Sequence, residues 1–302
     1  VRQAVQTDYR LAAEFLNIQQ VSVVCMQHEY GIYGGPSGSH VLGLLRRLRR
    51  PLVVTLHTVL REPTDQQRLV LKEVLRLATR VVVMSETGLG ILHDVYDLPE
   101  GKAGLIHHGI PEVPFVDPNF YKDQFGVEGR RVMFTFGLLS PGKGIEYVIE
   151  AMPRIVERHP DFMYMVLGET HPHVKRESGE EYRNSLFRRV NELGLRDNVR
   201  FINRFVELHE LCEYLGTADL YITPYLNKDQ ITSGTLAYAL GTGKCAISTP
   251  YYYAQEMLDE GRGRLVDFKD SDAIAEQVVD LLDHEIELHA IRKRAYQFCR
   301  KM

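Results

Sequence analysis

Asp219-Leu-Tyr-Ile-Thr-Pro-Tyr-Leu-Asn-Lys-Asp-Gln-Ile-Thr-Ser-Gly-Thr-Leu-Ala-Tyr-Ala-Leu-Gly-Thr-Gly-Lys-Cys-Ala-Ile-Ser-Thr-Pro250, running on to Gln255-Glu256-Met257, is the stretch that decides the fold of this chain. The apolar run 220–223 reads as a buried strand, the small-residue turn Thr232-Ser233-Gly234-Thr235 follows, and 236–240 reads as a short helix. Gly241 and Gly243 stop that helix, and 245–249 reads as a second strand ended by Pro250, which completes a βαβ unit. A helix that opens on hydroxyls and a glycine presents free backbone N–H groups and the positive end of its dipole. Such an end suits an anion such as a diphosphate. The same residues also make an ordinary Ser/Thr N-cap.

The rhythm repeats upstream. Strand-like runs at 21–26, 51–57, 80–84 and 103–107 alternate with helical patterns at 41–50, 66–79 and 87–96. That spacing predicts parallel strands with helices on both faces. Ligands of such sheets lie beyond the carboxyl ends of the strands. His28-Glu29, His57-Thr58, Ser85-Glu86 and His108-Gly109 all fall there, which points to a shared cleft. The glycine-rich loop 31–38 reads as a ligand cover or a long turn. The run Arg46-Arg47-Leu48-Arg49-Arg50 invites a polyanion or anionic-membrane reading, but it closes a predicted helix before Pro51. Cations there suit the negative end of the dipole, so a solvated helix end is preferred.

Proline density from Pro111 to Pro118 breaks both periodicities. A second α/β segment follows, with strands at 131–136, 162–167, 199–202 and 264–266 and helices at 145–158, 181–193, 208–215 and 273–282 around the βαβ unit. The expected organisation is a Rossmann-like domain over 1–115, a linker over 116–130, a second such domain over 131–285, and a terminal helix over 286–302. The chain opens on Val1, with a helical pattern over 1–16 ahead of any strand, and ends inside another. It is therefore expected to be truncated at both ends and to lack its first βα units.

With 302 residues, 44% of them hydrophobic and 25% charged, there is room for two ordinary globular domains. A net charge of −4 gives no electrostatic reason to expect nucleic acid. No run approaches the ~18 apolar residues of a membrane span, and no signal-peptide pattern is present. Cys25, Cys212, Cys245 and Cys299 are far apart and are expected to be buried thiols, with the cytoplasm as the default location. No metal site is expected. Asp270-Ser271-Asp272 reads as a helix cap, and His171-Pro172-His173 is too sparse for zinc. Asp219 reads as structural.

Gly137-Leu-Leu-Ser-Pro-Gly-Lys-Gly144 fits seven places of a P-loop between a strand and a helix. Gly144 occupies the place of the Ser or Thr that would hold Mg²⁺, which argues against a P-loop hydrolase, whereas Lys143 at a helix start still suits a phosphate. This turn, followed by Ile145-Glu-Tyr-Val-Ile-Glu-Ala151, resembles the phosphate-binding turn of the retaining family-4 (group 1) glycosyltransferases. The resemblance extends through Gln27-His28-Glu29, Thr55-Leu-His57, Val83-Met-Ser-Glu86, Ile106-His-His-Gly109, Val166-Leu-Gly168, Ala218-Asp219 and Ala239-Leu-Gly-Thr-Gly243.

What the resemblance implies is a GT-B fold, two Rossmann-like doubly wound domains, with the acceptor bound by the first and a nucleotide-diphosphate sugar by the second. The sugar nucleotide is a co-substrate, UDP-, GDP- or ADP-linked, with no other cofactor, and the acceptor is unknown. Transfer of a hexosyl group would then proceed with retention and without metal. Lys143, His28, His57 and Gln230 are the expected catalytic set. Gly137, Ser140, Gly142, Gly144, Glu169, Thr170, His171, Thr232, Ser233, Gly234, Thr235 and Tyr238 are the expected donor-binding set. Two departures matter: Leu138 stands where the family carries an arginine, and Gln230 and Tyr238 stand where it carries two glutamates. They leave open a non-catalytic nucleotide-sugar-binding protein. A sugar-nucleotide 2-epimerase of the same fold is the other alternative.

Overall fold

The computed structural model of the chain describes residues 1–302, which form two compact units. The first comprises Val1–His108 with Asp229–Thr232, and the second Gly109–Lys228 with Ser233–Met302. In the first unit α1 (Gln6–Ile18) precedes β1 (Val24–His28), α2 (Leu42–Leu45), β2 (Leu52–Leu56), α3 (Asp65–Leu77), β3 (Arg80–Val83), α4 (Glu86–Tyr96) and β4 (Ala103–Leu105). Its strands form one parallel sheet in the order β1-β2-β3-β4. Period-2 burial is plain in β2, where Leu52, Val54 and Leu56 are buried and Val53 and Thr55 are not fully covered. Side-chain caps fix where the helices start. Thr64 and Gln67 close a capping box on α3, and Ser85 Oγ accepts from Gly88 N at 3.1 Å on α4.

The second unit runs β5 (Arg131–Phe136), α5 (Ile145–Arg158), β6 (Phe162–Leu167), α6 (Pro172–Ser178), α7 (Glu181–Glu192), β7 (Val199–Ile202), α8 (Leu208–Thr217) and β8 (Leu220–Thr223). It continues through α9 (Gly234–Gly241), β9 (Cys245–Ser248), α10 (Tyr252–Leu258), β10 (Gly263–Leu265), α11 (Ser271–Asp283) and α12 (Glu285–Cys299). All six strands are parallel, in the order β10-β9-β8-β5-β6-β7. Alternate residues of the strands feed two cores. Met133, Tyr164, Val166, Leu220 and Ile222 pack with α5, α7 and α11, while Val132, Phe134, Met165, Leu167 and Tyr221 pack with α8, α9 and α10. A strand buried on both faces must be apolar along its whole length, which is why β6 reads Phe-Met-Tyr-Met-Val-Leu. The chain winds outward in both directions from β5 and β8, so the pair forms a topological switch point with an open crevice at its carboxyl end.

Asp219, just before β8, accepts from Lys122 Nζ at 2.9 Å and from Val132 N at 2.7 Å, with all three groups buried. The structural role expected of Asp219 is thereby a concrete one: it locks β8 beside β5. Arg292 ties the segment before β5 to α12, donating to Gly243 O at 3.0 Å and to Val116 O at 2.8 Å. Asp270 Oδ1 accepts from Ala273 N at 2.8 Å, the cap expected of it.

Three expectations are corrected. The helix over 41–50 is only α2, preceded by a 3-10 turn, Pro36–Val41, in which Ser37 and Gly38 have positive φ. The arginine run still follows a helix end, with Arg46 as the C-cap of α2 and Arg47 N donating to Leu44 O at 3.0 Å, but that helix is a single turn. Asn17 holds the turn beyond it, donating to Arg47 O at 2.8 Å and accepting from Arg49 N at 2.7 Å, while Arg46 pairs with Glu73 at 2.9 Å. Cys25 is exposed, because it lies on the opposite side of β1 from the buried Met26 and His28. Helices α6 and α10 were not foreseen, since Pro-His-Val-Lys-Arg-Glu-Ser carries no apolar stripe and the tyrosines of α10 follow a proline.

Removing one member of the Asp219 pair strands a buried charge. Asp219→Ala should lower the unfolding free energy by about 3–5 kcal/mol in denaturant titrations. The double variant Lys122→Met, Asp219→Leu should lose less than the sum of the two single losses, and simple additivity would refute the pairing.

Candidate functional site

Strands β5 and β6 both leave the sheet through glycine. Gly137 has φ +123° and Gly168 φ +140°, and a Cβ on Gly168 would sit 2.0 Å from Gly137 O. Only glycine allows that approach. It lets the two exits continue side by side, with Gly137 N donating to Leu167 O at 3.0 Å, Leu139 N to Glu169 O at 2.8 Å and His171 N to Leu139 O at 2.8 Å. Gly144, with φ +64°, abuts the exit of β8 in the same way, for its Cβ would meet Pro224 O at 2.1 Å. The turn 137–144 is thus clasped between the ends of β6 and β8, at the switch point.

On that clasp the charged and hydroxyl groups meet. Lys143 Nζ lies 3.7 Å from the centroid of the Tyr225 ring. The Tyr225 hydroxyl is 2.8 Å from Thr235 Oγ1, which is 3.1 Å from Ser233 Oγ. Ser233 is the N-cap of α9, accepting from Leu236 N at 3.3 Å. The N–H groups of Gly234 and Thr235 precede the first intrahelical bond of α9, which runs from Ala237 N to Ser233 O. Cap and anion site are therefore not alternatives here: the Ser233 hydroxyl satisfies one N–H and leaves the first two in front of the turn. Beside this cradle opens a cavity of about 380 Å³ walled by Phe136, Leu138, Glu169, Phe205, Leu211 and Tyr238. Its walls are mostly apolar, with the Glu169 carboxylate, the Tyr238 phenol and the Arg204 guanidinium as polar members.

Other expected donor residues fall differently. Thr170 is buried and bonded to Glu180 and Arg183, so its hydroxyl is committed inside the unit. His171 caps α6, accepting from His173 N at 3.1 Å. Ser140 accepts from Lys143 N through its carbonyl at 2.9 Å, and Gly142 O accepts from Leu226 N at 3.0 Å. Gln230 and Thr232 belong to the first unit, whereas Ser233, Gly234, Thr235 and Tyr238 belong to the second. Gln230 Nε2 donates to Thr232 O at 2.8 Å, and Thr232 Oγ1 to Met84 Sδ at 3.7 Å. Tyr225, Phe136 and Phe205 went unmarked in the sequence reading; the signal available was an aromatic residue at or just after the end of a strand.

In the first unit His57 Nε2 lies 2.7 Å from Gln27 Oε1, and Glu29 accepts from the Thr58 hydroxyl. Burial lowers the pKa of His57, with Glu29 opposing and His108 adding to the shift, so these groups sense one another electrostatically. His28 departs from its expected role. It is fully buried, neither ring nitrogen has a hydrogen-bond partner, and it packs edge-on against Tyr30 at 5.3 Å. Burial, with His57 nearby, takes its pKa down to about 4. Ser85 is the cap of α4.

A glycine-clasped turn carrying a lysine, facing a helix start at the switch point of one of two Rossmann-like units, is an arrangement that suits a phosphate-bearing ligand of a doubly wound α/β protein. The chain belongs to the group 1 glycosyltransferase family. The family described as glycosyl transferases group 1 matches residues 118–298, and that described as glycosyltransferase family 4 matches residues 9–112. The chain is 25% identical over 166 residues to spore coat protein SA of Bacillus subtilis, covering 53% of this chain and 42% of that protein. It is 24% identical over 181 residues to phosphatidyl-myo-inositol mannosyltransferase of Mycolicibacterium smegmatis, covering 60% and 43%. It thus spans under half the length of either relative. In structure it matches Anabaena HepE in complex with UDP, with TM-score 0.75 and 18% identity over 97% of this chain and 77% of that one. Sucrose-phosphate synthase of Thermosynechococcus elongatus gives TM-score 0.77 and 18% identity over 99% and 75%. These likenesses establish the GT-B Rossmann-like fold.

Two measurements probe the geometry. Gly168→Ala, forced into φ +140° against a carbonyl, should lose more than about 2 kcal/mol of stability. Gly142→Ala, whose Cβ would meet nothing within 4 Å, should stay within about 0.5 kcal/mol; equal losses would refute the clasp. His28 is held neutral by folding, so the unfolded chain binds its proton more readily. Its folded pKa of about 4 lies below the ordinary 6.5, so stability is whole above about pH 6.5 and falls by roughly 2–3 kcal/mol toward pH 4. His28→Phe should flatten that slope in unfolding titrations across this window.

Proposed function

We propose that this chain transfers a hexosyl group from a nucleoside-diphosphate sugar to an acceptor hydroxyl, with retention of anomeric configuration and without a metal ion. The observation that carries this reading is the convergence of Lys143, the Ser233–Thr235 hydroxyls and the opening N–H groups of α9 beside an apolar cavity at one switch point. An apolar slot with aromatic edges suits a nucleoside, and a cation with N–H donors at its mouth suits the diphosphate attached to it. That the relatives include a mannosyltransferase, and the structural neighbours a complex with UDP, supports the same substrate class.

The chemistry follows from charge. As the anomeric C–O bond breaks, its electron pair passes to the leaving diphosphate, and Lys143 with the α9 N–H groups stabilises the growing charge. The acceptor oxygen bonds to the anomeric carbon from the face the diphosphate leaves, and its proton passes to a phosphate oxygen. A strong protein base is then unnecessary, and the counter-charge comes from the protein instead of a metal. In the first unit His57, oriented by Gln27, would bind the acceptor. Gln230, with its amide already donating to Thr232 O, has no charge to offer a developing oxocarbenium ion. That observation favours a second reading, a protein that binds nucleotide sugar and turns none over.

A thermal-shift panel of UDP, GDP, ADP and their glucose and mannose conjugates, with and without EDTA, tests the donor site. A ligand at 100 times its dissociation constant should add about 2.7 kcal/mol to the folded state. The shift should persist in EDTA and shrink in Lys143→Ala, and no shift with any nucleotide would overturn the reading. In turnover, Lys143→Ala should lower kcat/KM by roughly a hundredfold, about 3 kcal/mol. Binding without any release of nucleoside diphosphate would select the second reading.

A further inference from the structure

Tyr225 touches both halves of the proposed phosphate cradle. It is 1% exposed, just past β8, with its ring stacked on Tyr251 at 5.6 Å and 18°. Its carbonyl accepts from Thr249 Oγ1 at 2.5 Å, so ring and backbone are both fixed. The Lys143 ammonium lies over that ring, and the ring hydroxyl meets Thr235 Oγ1. The contrast with Lys122 is instructive, because that ammonium is neutralised by Asp219. A cation seated on an aromatic face is located by the ring quadrupole yet keeps its full charge for an incoming anion. The hydroxyl works on the other side, fixing a threonine at the first turn of α9, whose own oxygen is 3.1 Å from the capping Ser233.

We propose that Tyr225 is a positioning residue of the donor site: its ring presets Lys143, and its hydroxyl presets Thr235, before any diphosphate arrives. This rests on the donor reading given above. Presetting matters because a long, free lysine side chain must be immobilised on binding, whereas one already held over a rigid ring has lost that freedom in advance. Tyr225 touches no reacting atom in this scheme. Its influence passes through Lys143 and Thr235.

The test is calorimetric, on the full chain, with UDP, GDP and ADP and with the matching uncharged nucleosides as probes. Tyr225→Leu should weaken diphosphate binding by about 3- to 30-fold while nucleoside affinity changes by less than about twofold. Added to Lys143→Met, it should cost almost nothing further. Tyr225→Phe keeps the ring, so it should preserve the Lys143-dependent share and lose only what Thr235→Val loses, the pair again being non-additive. If Tyr225→Leu fails to fold, the Tyr225→Phe and Thr235→Val pair decides. Equal weakening of nucleoside and diphosphate, or additivity in both cycles, would make Tyr225 a core residue only and overturn the proposal. Diphosphate binding that ignores Tyr225 overturns this inference alone, whereas no binding of any of the three diphosphates overturns the donor reading and this one together.

Discussion

The contact on which the second unit's working end depends is the approach of Gly168 to the Gly137 carbonyl, closer than any side chain permits. Parallel strands are spaced by their hydrogen bonds, about 4.8 Å apart, and ordinarily diverge once the ladder stops. Here the ladder continues for three residues past the sheet, to the Leu139–Thr170 bridge. That extension carries the turn 137–144 back over the strand ends and brings Gly144 against Pro224. Everything above it inherits its position from there: Lys143, the ring beneath it, and the wall of the cavity formed by Phe136 and Leu138.

The unit handles its cations in three ways, each suited to a different task. Lys122 is paired with a buried carboxylate and serves the sheet. Arg292 spends its donors on the carbonyls of Gly243 and Val116 and lays its guanidinium 4.9 Å from the Phe115 ring, which serves the connection to α12. Lys143 has a ring for company and so retains a field that an anion can feel. Burial alone does not distinguish these three settings; the nature of the nearest group does.

Much of this was legible in the sequence, and the reason is the sheet. Strands buried on both faces leave apolar runs, so Arg131–Phe136, Phe162–Leu167 and Leu220–Thr223 have the bounds that the sequence pattern predicts, as does the edge strand Val199–Ile202. The glycine-rich turn was legible too, because three glycines within eight residues signal backbone crowding. What the sequence hides is direction. Thr170 falls after a strand and His28 ends one, as site residues should, yet their side chains turn inward, the first to Glu180 and Arg183 and the second against Tyr30. The extent of the helix before the Arg46–Arg50 run is hidden for a related reason: the turn beyond that helix is held by Asn17, thirty residues away in sequence, and no local rule contains that contact. Tyr225 was passed over because a tyrosine after a strand looks like core, which it also is.

The pairing of β5 with β8 has a consequence for how the chain is made. Met133 finds its neighbour in Leu220, and the Val132 amide finds Asp219 eighty-seven residues later. A ribosome releasing this chain from its amino end therefore delivers β5, β6 and β7 before β8, the second neighbour of β5, and Lys122 before its counter-ion. Non-local closures of this kind are slow, and the exposed edge invites wrong partners while it waits. Asp219 meets both needs with one carboxylate, which takes the lysine and the strand amide together. The residue that holds the sheet's centre is thus one that emerges only after three of that sheet's strands.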